Sequence, residues 1–100
     1  MMAGTVACAC SQPTAPAPEV RFFLDAPFCV GSRIPLQFSI DAAVVGTETL
    51  MDGDTSSVYA TTPGSHLLGA RLVGAAFDQD TTVALRNGDR FTMRLDFYCS

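Results

Sequence analysis

Strict alternation of apolar and polar residues near the end of the chain most constrains what it folds into. In residues 90–99 every odd position is apolar, and every even position before Tyr98 is charged or Thr. A helix would scatter these apolar side chains around its axis, whereas a β-strand places them all on one face. The run therefore predicts a strand with one buried and one solvent-exposed face.

Shorter segments repeat this pattern upstream. Val20, Phe22 and Leu24 share one strand face, and further candidate strands lie at residues 36–41, 44–45, 57–60, 66–73 and 81–86. No segment keeps an apolar period of 3.6 residues, and the glycines around residues 67–77 disfavour a helix there. We expect an all-β fold, a small antiparallel two-sheet β-sandwich of about seven strands, with a small barrel as the alternative.

Two turn sequences separate the later strands. Asn87-Gly88 tolerates positive φ at both central positions of a type I′ turn, so we expect an antiparallel hairpin between the last two strands. Pro63-Gly64 predicts a second turn. Gly46 and Gly64 mark backbone positions that we expect to need positive φ.

The first 18 residues differ in composition from the rest. Residues 12–18 contain three prolines, which favours an extended spacer, so we expect residues 1–18 to be a signal remnant or tether and residues 19–100 to be the sandwich domain. The segment around Cys8 and Cys10 resembles the end of a bacterial lipoprotein signal, which implies a lipid on one of these cysteines. No basic and apolar leader precedes Cys8, so the resemblance implies a start upstream of Met1. The alternative is a disordered tail with two ordinary thiols.

Cys29 and Cys99 border apolar strand-like runs instead. A disulfide between them would close a loop of about 70 residues, for which the chain-entropy model gives about 4 kcal/mol. Such a bond requires an oxidising compartment. The alternatives are two buried free cysteines or a zinc site, although the cysteine spacing matches no common zinc finger.

The middle of the chain resembles PEGA-type domains. Residues 40–47 (IDAAVVGT) are similar to the strand–turn–strand element of that family, and residues 62–68 (TPGSHLL) are similar to its Gly-x-His turn. The resemblance covers about residues 36–73. Ala42 stands where the family usually has Gly, Glu48-Thr49 stands where Thr-Pro is usual, and residues 52–56 are an extra segment. The resemblance implies a β-sandwich on a bacterial surface that serves as a binding or spacer module.

Few residues offer catalytic or metal-binding chemistry. His66 is the single histidine, and no nucleophile signature accompanies it, so we expect a turn-capping or packing role rather than catalysis. The acidic pairs are weak candidates for calcium, and solvated turns are the alternative; they are Asp52 with Asp54 and Asp78 with Asp80. We therefore predict no enzyme activity, no cofactor and no firm metal site.

Arginines and aromatic residues supply the candidate contact surfaces. Arg71, Arg90 and Arg94 are expected on outward faces. One interpretation is that Arg90 and Arg94 form exposed ion pairs with Asp89 or Asp96. The more specific functional interpretation is a patch that binds carboxylate or phosphate groups. Phe23 and Tyr98 should also face outward and form a weak candidate interface, unless the loop around Cys29 covers them.

Composition limits the classes of partner that we expect. The formal net charge is −4, which argues against nucleic acid as a ligand. The sequence contains no run of about 20 apolar residues, so it predicts no membrane-spanning helix. We expect a non-enzymatic module of the bacterial cell envelope, periplasmic or at the surface, secreted or lipid-anchored, that binds or scaffolds a protein or another envelope component. The alternatives are a small-ligand or calcium-binding domain that uses the acidic loops, or an accessory subunit of a surface assembly.

Overall fold

A computed structural model describes residues 15–98, which form seven β-strands and no helix. The strands are β1 (Glu19–Asp25), β2 (Ile34–Ile40), β3 (Ala43–Leu50), β4 (Tyr59–Ala60), β5 (Gly64–Leu72), β6 (Asp78–Leu85) and β7 (Arg90–Asp96). The part of the chain that the structure describes contains no helix long and apolar enough to cross a membrane.

The strands form two sheets. One sheet has the order β4-β1-β7 and the other has the order β3-β2-β5-β6. The prediction of an all-β, two-sheet fold with about seven strands is confirmed. One pairing departs from the antiparallel expectation, because β1 and β7 run parallel, from Glu19 opposite Arg90 to Asp25 opposite Asp96.

The predicted hairpin between the last two strands is wrong. The turn itself forms, since the Asp89 amide donates to the Arg86 carbonyl at 3.0 Å and Gly88 has a φ of 89°. The turn joins strands of different sheets, however, because β6 pairs with β5 and β7 pairs with β1. Turn chemistry fixes the local reversal of the chain but not the partner of the strand that follows.

The Gln79 side chain links the two sheets at this side of the sandwich, beside the edge-to-face contact of the Phe77 and Phe97 rings. The Gln79 amide on β6 donates to the Arg94 carbonyl on β7 at 2.8 Å, and its oxygen accepts from the Asp96 amide at 3.1 Å. Gln79 therefore satisfies backbone groups on the open edge of β7 that a neighbouring strand would otherwise have to pair.

The apolar faces of the two sheets meet in an aromatic centre. The rings of Phe22 on β1 and Phe38 on β2 stack with their centroids 4.2 Å apart, and Tyr59 packs against both rings at about 6 Å. Most alternating positions expected to face inward are buried, including Val20, Leu24, Leu36, Ile40, Leu68, Ala70, Leu85, Met93 and Leu95. Four others are partly buried against this core: Leu72, Val83, Phe91 and Phe97. Burial of this apolar surface is the main stabilising contribution.

Gly46 is required for close approach and not for positive φ. A Cβ atom at this position would overlap the Tyr59 hydroxyl and lie 2.9 Å from two ring carbons of Tyr59. The Tyr59 hydroxyl donates to Glu48 on the same strand as Gly46, and burial together with this bond raises the pKa of Tyr59 to about 12. The expectation for Gly64 is confirmed, since its φ is 126°.

The segment before β4 extends β4 irregularly and runs along β1. The Ser56 amide donates to the Phe22 carbonyl at 2.8 Å, and the Leu24 amide donates to the Asp54 carbonyl at 2.9 Å. The end of the proline spacer also contacts the domain, because Pro18 is fully buried and its carbonyl accepts from the Thr61 amide. The rest of the predicted tether, residues 1–14, lies outside the described residues.

A pair of glycine substitutions tests this packing. In Gly46→Ala the added methyl group meets a tyrosine ring that is held by two phenylalanine rings and by Glu48, so we expect the free energy of unfolding to fall by about 1–3 kcal/mol. In Gly69→Ala the methyl group meets only the ends of the Ser39 and Asp80 side chains. These side chains can rotate away, so we expect a change of less than about 1 kcal/mol. Urea denaturation of both variants measures the difference, and equal losses would contradict the packing described.

Candidate functional site

The turn between β2 and β3 is held in an unusual backbone conformation. Asp41 and Ala42 have φ values of 53° and 70°, a region that residues other than glycine seldom adopt. Two hydrogen bonds fix this turn to β5. The Asp41 amide donates to the Leu67 carbonyl, and the Leu67 amide donates to the Asp41 side-chain oxygen Oδ1, both at 2.8 Å. The turn is thereby tied to the next strand of the sheet.

His66 completes this attachment. The residue is only 8% exposed; its Nδ1 lies 2.5 Å from Asp41 Oδ2 and its Nε2 lies 2.7 Å from the Thr62 carbonyl oxygen. The imidazolium form donates to both oxygens, whereas the neutral form donates from Nδ1 to Asp41 and can accept at Nε2 from the Thr62 hydroxyl, which lies 3.3 Å away. Asp41 and, to a lesser extent, the Thr62 carbonyl raise the pKa of His66. The Leu67 amide and then His66 lower the pKa of Asp41.

This arrangement limits what His66 can do chemically. In the imidazolium form both nitrogens donate to Asp41 and Thr62, so neither can accept a proton from a substrate. The pair stabilises the turn and the sheet. Sequence reasoning did not foresee the contact between Asp41 and His66, although both belong to the segments that resemble PEGA-type domains, and that shared membership was the available signal.

The acidic loop residues Asp52 and Asp54 cap backbone groups. Asp52 Oδ1 accepts from the Ala26 amide at 2.8 Å, and Asp54 Oδ2 accepts from the Met51 amide at 2.9 Å. Between residues 15 and 98 there is no group of three or more histidine, cysteine or acidic residues that could hold a metal ion. These two carboxylates therefore fix the irregular segment beside β1.

The outer face of the three-stranded sheet carries paired charges. Arg94 contacts Asp25 and lies 3.3 Å from Asp96, while Arg90 lies 3.6 Å from Glu19 rather than pairing with Asp89 or Asp96. These exposed pairs each contribute about 0–1 kcal/mol. Arg71 lies on the other sheet, so the three arginines expected to form one anion-binding patch do not come together.

An open groove crosses the outer face of the four-stranded sheet, and we call it the outer groove. Its lining includes Gln37, Ser39, Leu67, Arg71, Asp78 and Asp80. These residues come from three adjacent strands, β2, β5 and β6, and their side chains alternate with the buried core positions. The weak metal candidates Asp78 and Asp80 thus lie in a mixed polar groove beside an arginine.

Two lining residues of the outer groove, Ser39 and Asp80, converge over a buried glycine, Gly69. Gly69 on β5 lies opposite Ser39 on β2 and Asp80 on β6 in the strand register. A Cβ atom at Gly69 would lie 2.7 Å from Ser39 Oγ and 2.8 Å from Asp80 Oδ1. Any larger residue would therefore displace the polar groups on either side. The sequence pattern showed the outward positions on β2 and β5, but it placed Asp78 and Asp80 in a loop rather than in β6, and it did not show which strands would be neighbours.

The two aromatic residues expected to form an interface are not equivalent. Phe23 is half-buried in the middle of β1, opposite Arg94. Tyr98 lies beyond the end of β7 and is 69% exposed, and its ring lies 6.0 Å from the ring of Phe28, which is 71% exposed. The loop that contains Cys29 reaches Tyr98 through Phe28 but does not cover it.

The cysteine predictions are tested only in part. Cys29 is buried and is a disulfide cysteine in the structure. Cys8, Cys10 and Cys99 lie outside the described residues, so the Cys29–Cys99 pairing and the lipid attachment at Cys8 or Cys10 stay predictions. No protein-family model matches the chain, and no curated protein matches it in sequence.

The His66–Asp41 contact predicts a pH dependence of stability. The folded pKa of His66 lies above its ordinary value of 6.5, so its contribution is complete below pH 6.5 and is lost as pH rises through the folded pKa. The folded pKa of Asp41 lies below its ordinary value of 3.8, so its contribution is complete above pH 3.8 and is lost as pH falls through the folded pKa. Thermal unfolding followed by circular dichroism should show declining stability on both sides of this window.

Asp41→Asn provides the matched control. Asparagine tolerates the left-handed backbone, and its side-chain oxygen can still accept from Leu67. Its amide would donate to a neutral His66 Nδ1, so the pKa of His66 should fall and the alkaline decline should disappear. An NMR titration of the His66 ring protons measures that pKa. An unchanged alkaline decline in Asp41→Asn would show that the contact does not control it.

Proposed function

We propose that the chain is a non-enzymatic module of the bacterial cell envelope, secreted or lipid-anchored, that binds an envelope component through the outer groove. One observation carries this proposal: Arg71, Asp78 and Asp80 lie together in the groove, and within residues 15–98 none of their side chains has a hydrogen-bond or ion-pair partner. Polar groups left without partners on a shaped surface are what a binding site requires.

Other features agree with this proposal. Both nitrogens of His66 are engaged, which argues against acid–base catalysis by the single histidine. The disulfide state of Cys29 and the lipoprotein-like segment around Cys8 and Cys10 fit an oxidising compartment. The resemblance of residues 36–73 to PEGA-type domains supports a surface module. The acidic net charge argues against nucleic acid as the ligand.

A second candidate function is docking to a larger surface assembly. Phe28 and Tyr98 favour it, because two contacting aromatic rings that are both about 70% exposed are typical of protein interfaces. This aromatic pair lies at the end of β7, whereas the outer groove lies on the other sheet. Substitutions can therefore separate the two candidate functions.

Co-sedimentation with washed envelope fractions of the producing bacterium tests the proposed function. We expect the wild-type protein to sediment with the envelope fraction, and the double variant Arg71→Ala/Asp80→Asn to remain in the supernatant. Both substituted side chains are exposed and unpaired, so the double variant should keep the melting temperature of the wild type.

Arg90→Ala is the matched control, because it removes an exposed arginine from the opposite sheet. We expect it to sediment like the wild type. Failure of the wild type to sediment, or equal sedimentation of the groove variant, would overturn the proposed function. Loss of sedimentation in Tyr98→Ser alone would favour docking through the aromatic pair.

A further inference from the structure

The polar groups of the outer groove differ from the other charged groups on the sheets. On the three-stranded sheet, Arg90 and Arg94 lie in ion pairs and the Arg21 guanidinium donates to the Thr92 hydroxyl at 3.1 Å. A smaller cleft on this sheet is lined by Glu19, Arg21 and Arg90, whose charged groups are engaged in these contacts. In the outer groove the Arg71 guanidinium and the Asp78 and Asp80 carboxylates make no side-chain hydrogen bond within residues 15–98, so all three can bond to a ligand.

The strand register arranges donors and acceptors in two rows. Gln37, Arg71 and Asp78 lie side by side across three strands, and Ser39, Gly69 and Asp80 form the next row. Neighbouring strands are about 4.8 Å apart, and alternate residues along one strand are about 6.8 Å apart. The hydroxyl groups of one sugar ring are distributed over a comparable distance, so one ring can contact side chains from two strands.

The net charge of the groove selects against ionic ligands. Two carboxylates flank one guanidinium, so an anion meets net repulsion. Two carboxylates beside an arginine are also a poor site for a metal ion, and no set of three potential ligands occurs in the described chain. A neutral hydroxyl group can donate to Asp78 or Asp80 and also accept from Arg71, so it satisfies both kinds of group at once.

Apolar surface lies next to these polar groups. Val44 and Leu67 line the same groove and are both exposed. A sugar ring has a face of C–H groups besides its hydroxyl groups, and this face can pack on aliphatic side chains. A small zwitterion such as a dipeptide would use the charges but would leave this apolar surface uncovered.

We infer that the outer groove binds a neutral, polyhydroxylated ligand, a segment of an envelope carbohydrate chain. Asp78 and Asp80 accept hydrogen bonds from ligand hydroxyl groups, Arg71 and Gln37 donate to ligand oxygens, and Val44 and Leu67 contact the ring. The ring lies in the open groove that these residues line. This inference rests on the proposed function, since it names the ligand class of the same groove.

NMR titration of the isotope-labelled full chain tests the ligand class. The probes are neutral trisaccharides of glucose, mannose, galactose and N-acetylglucosamine, with dialanine and inorganic phosphate as the competing classes, each at up to about 20 mM. With few charged contacts and no aromatic ring in the groove, we expect a Kd of about 1 mM for at least one trisaccharide. Amide shifts should be confined to residues 37–39, 67–71 and 78–80.

Gly69→Ala and Asp80→Asn provide the variants, and Arg90→Ala is again the matched control. Each groove variant should weaken trisaccharide binding about tenfold. Asp80→Asn removes a charged hydrogen-bond acceptor, and hydrogen bonds to charged groups are among the stronger ones. Gly69→Ala adds a methyl group that displaces the Ser39 and Asp80 side chains. No groove shifts with any trisaccharide, or groove shifts with dialanine or phosphate instead, would overturn the inference. If the groove variants still abolish sedimentation with envelope fractions, the ligand class is wrong but the proposed function stands; if sedimentation is unaffected, both fail.

Discussion

The stacked rings of Phe22 and Phe38 are the contact on which the rest of the molecule depends. Each ring belongs to a central region of its own sheet, and Tyr59 from β4 packs against both. Because the aromatic centre joins the sheets through their inner faces, both outer faces remain available. On one outer face the charged side chains pair with each other, and on the other the groove residues Arg71, Asp78 and Asp80 remain unpaired.

The hydrogen-bonded pair of Asp41 and His66 connects this scaffold to the outer groove. Asp41 holds the β2–β3 turn against β5, and the turn residue Ala42 and the β5 residue Leu67 both line the groove. A charged, hydrogen-bonded pair thus shapes one end of the surface that we propose as the binding site. Substitution of His66 would therefore be expected to act on the groove through the turn, not through chemistry on a ligand.

Local patterns predicted which residues face the core, but not which strands pair. Alternation identified the buried side chains of β1, β2 and β7, since burial follows the two-residue period of a strand. The parallel pairing of β1 with β7, and the separation of β6 from β7, depend on contacts between residues about 70 positions apart in the chain, which no local pattern encodes. The same limit applies to the site: the outward positions of Gln37 and Arg71 were readable, but Asp78 was assigned to a loop before the strand, and the assembly of the three residues into one groove was not readable. Gly46 was recognised as special for the wrong physical reason, because its neighbour Tyr59 comes from the other sheet.

Carboxylate footprinting tests most directly whether the outer groove is the binding surface. The full chain is labelled with a carbodiimide and an amine, with and without washed envelope fractions, and each modified residue is quantified by mass spectrometry. Labelling of Asp78 and Asp80 should fall in the presence of the envelope fraction, while labelling of Glu19 and Asp96 on the opposite sheet should stay constant. Unchanged labelling of Asp78 and Asp80 on protein that has bound to the envelope would contradict the assignment of the groove.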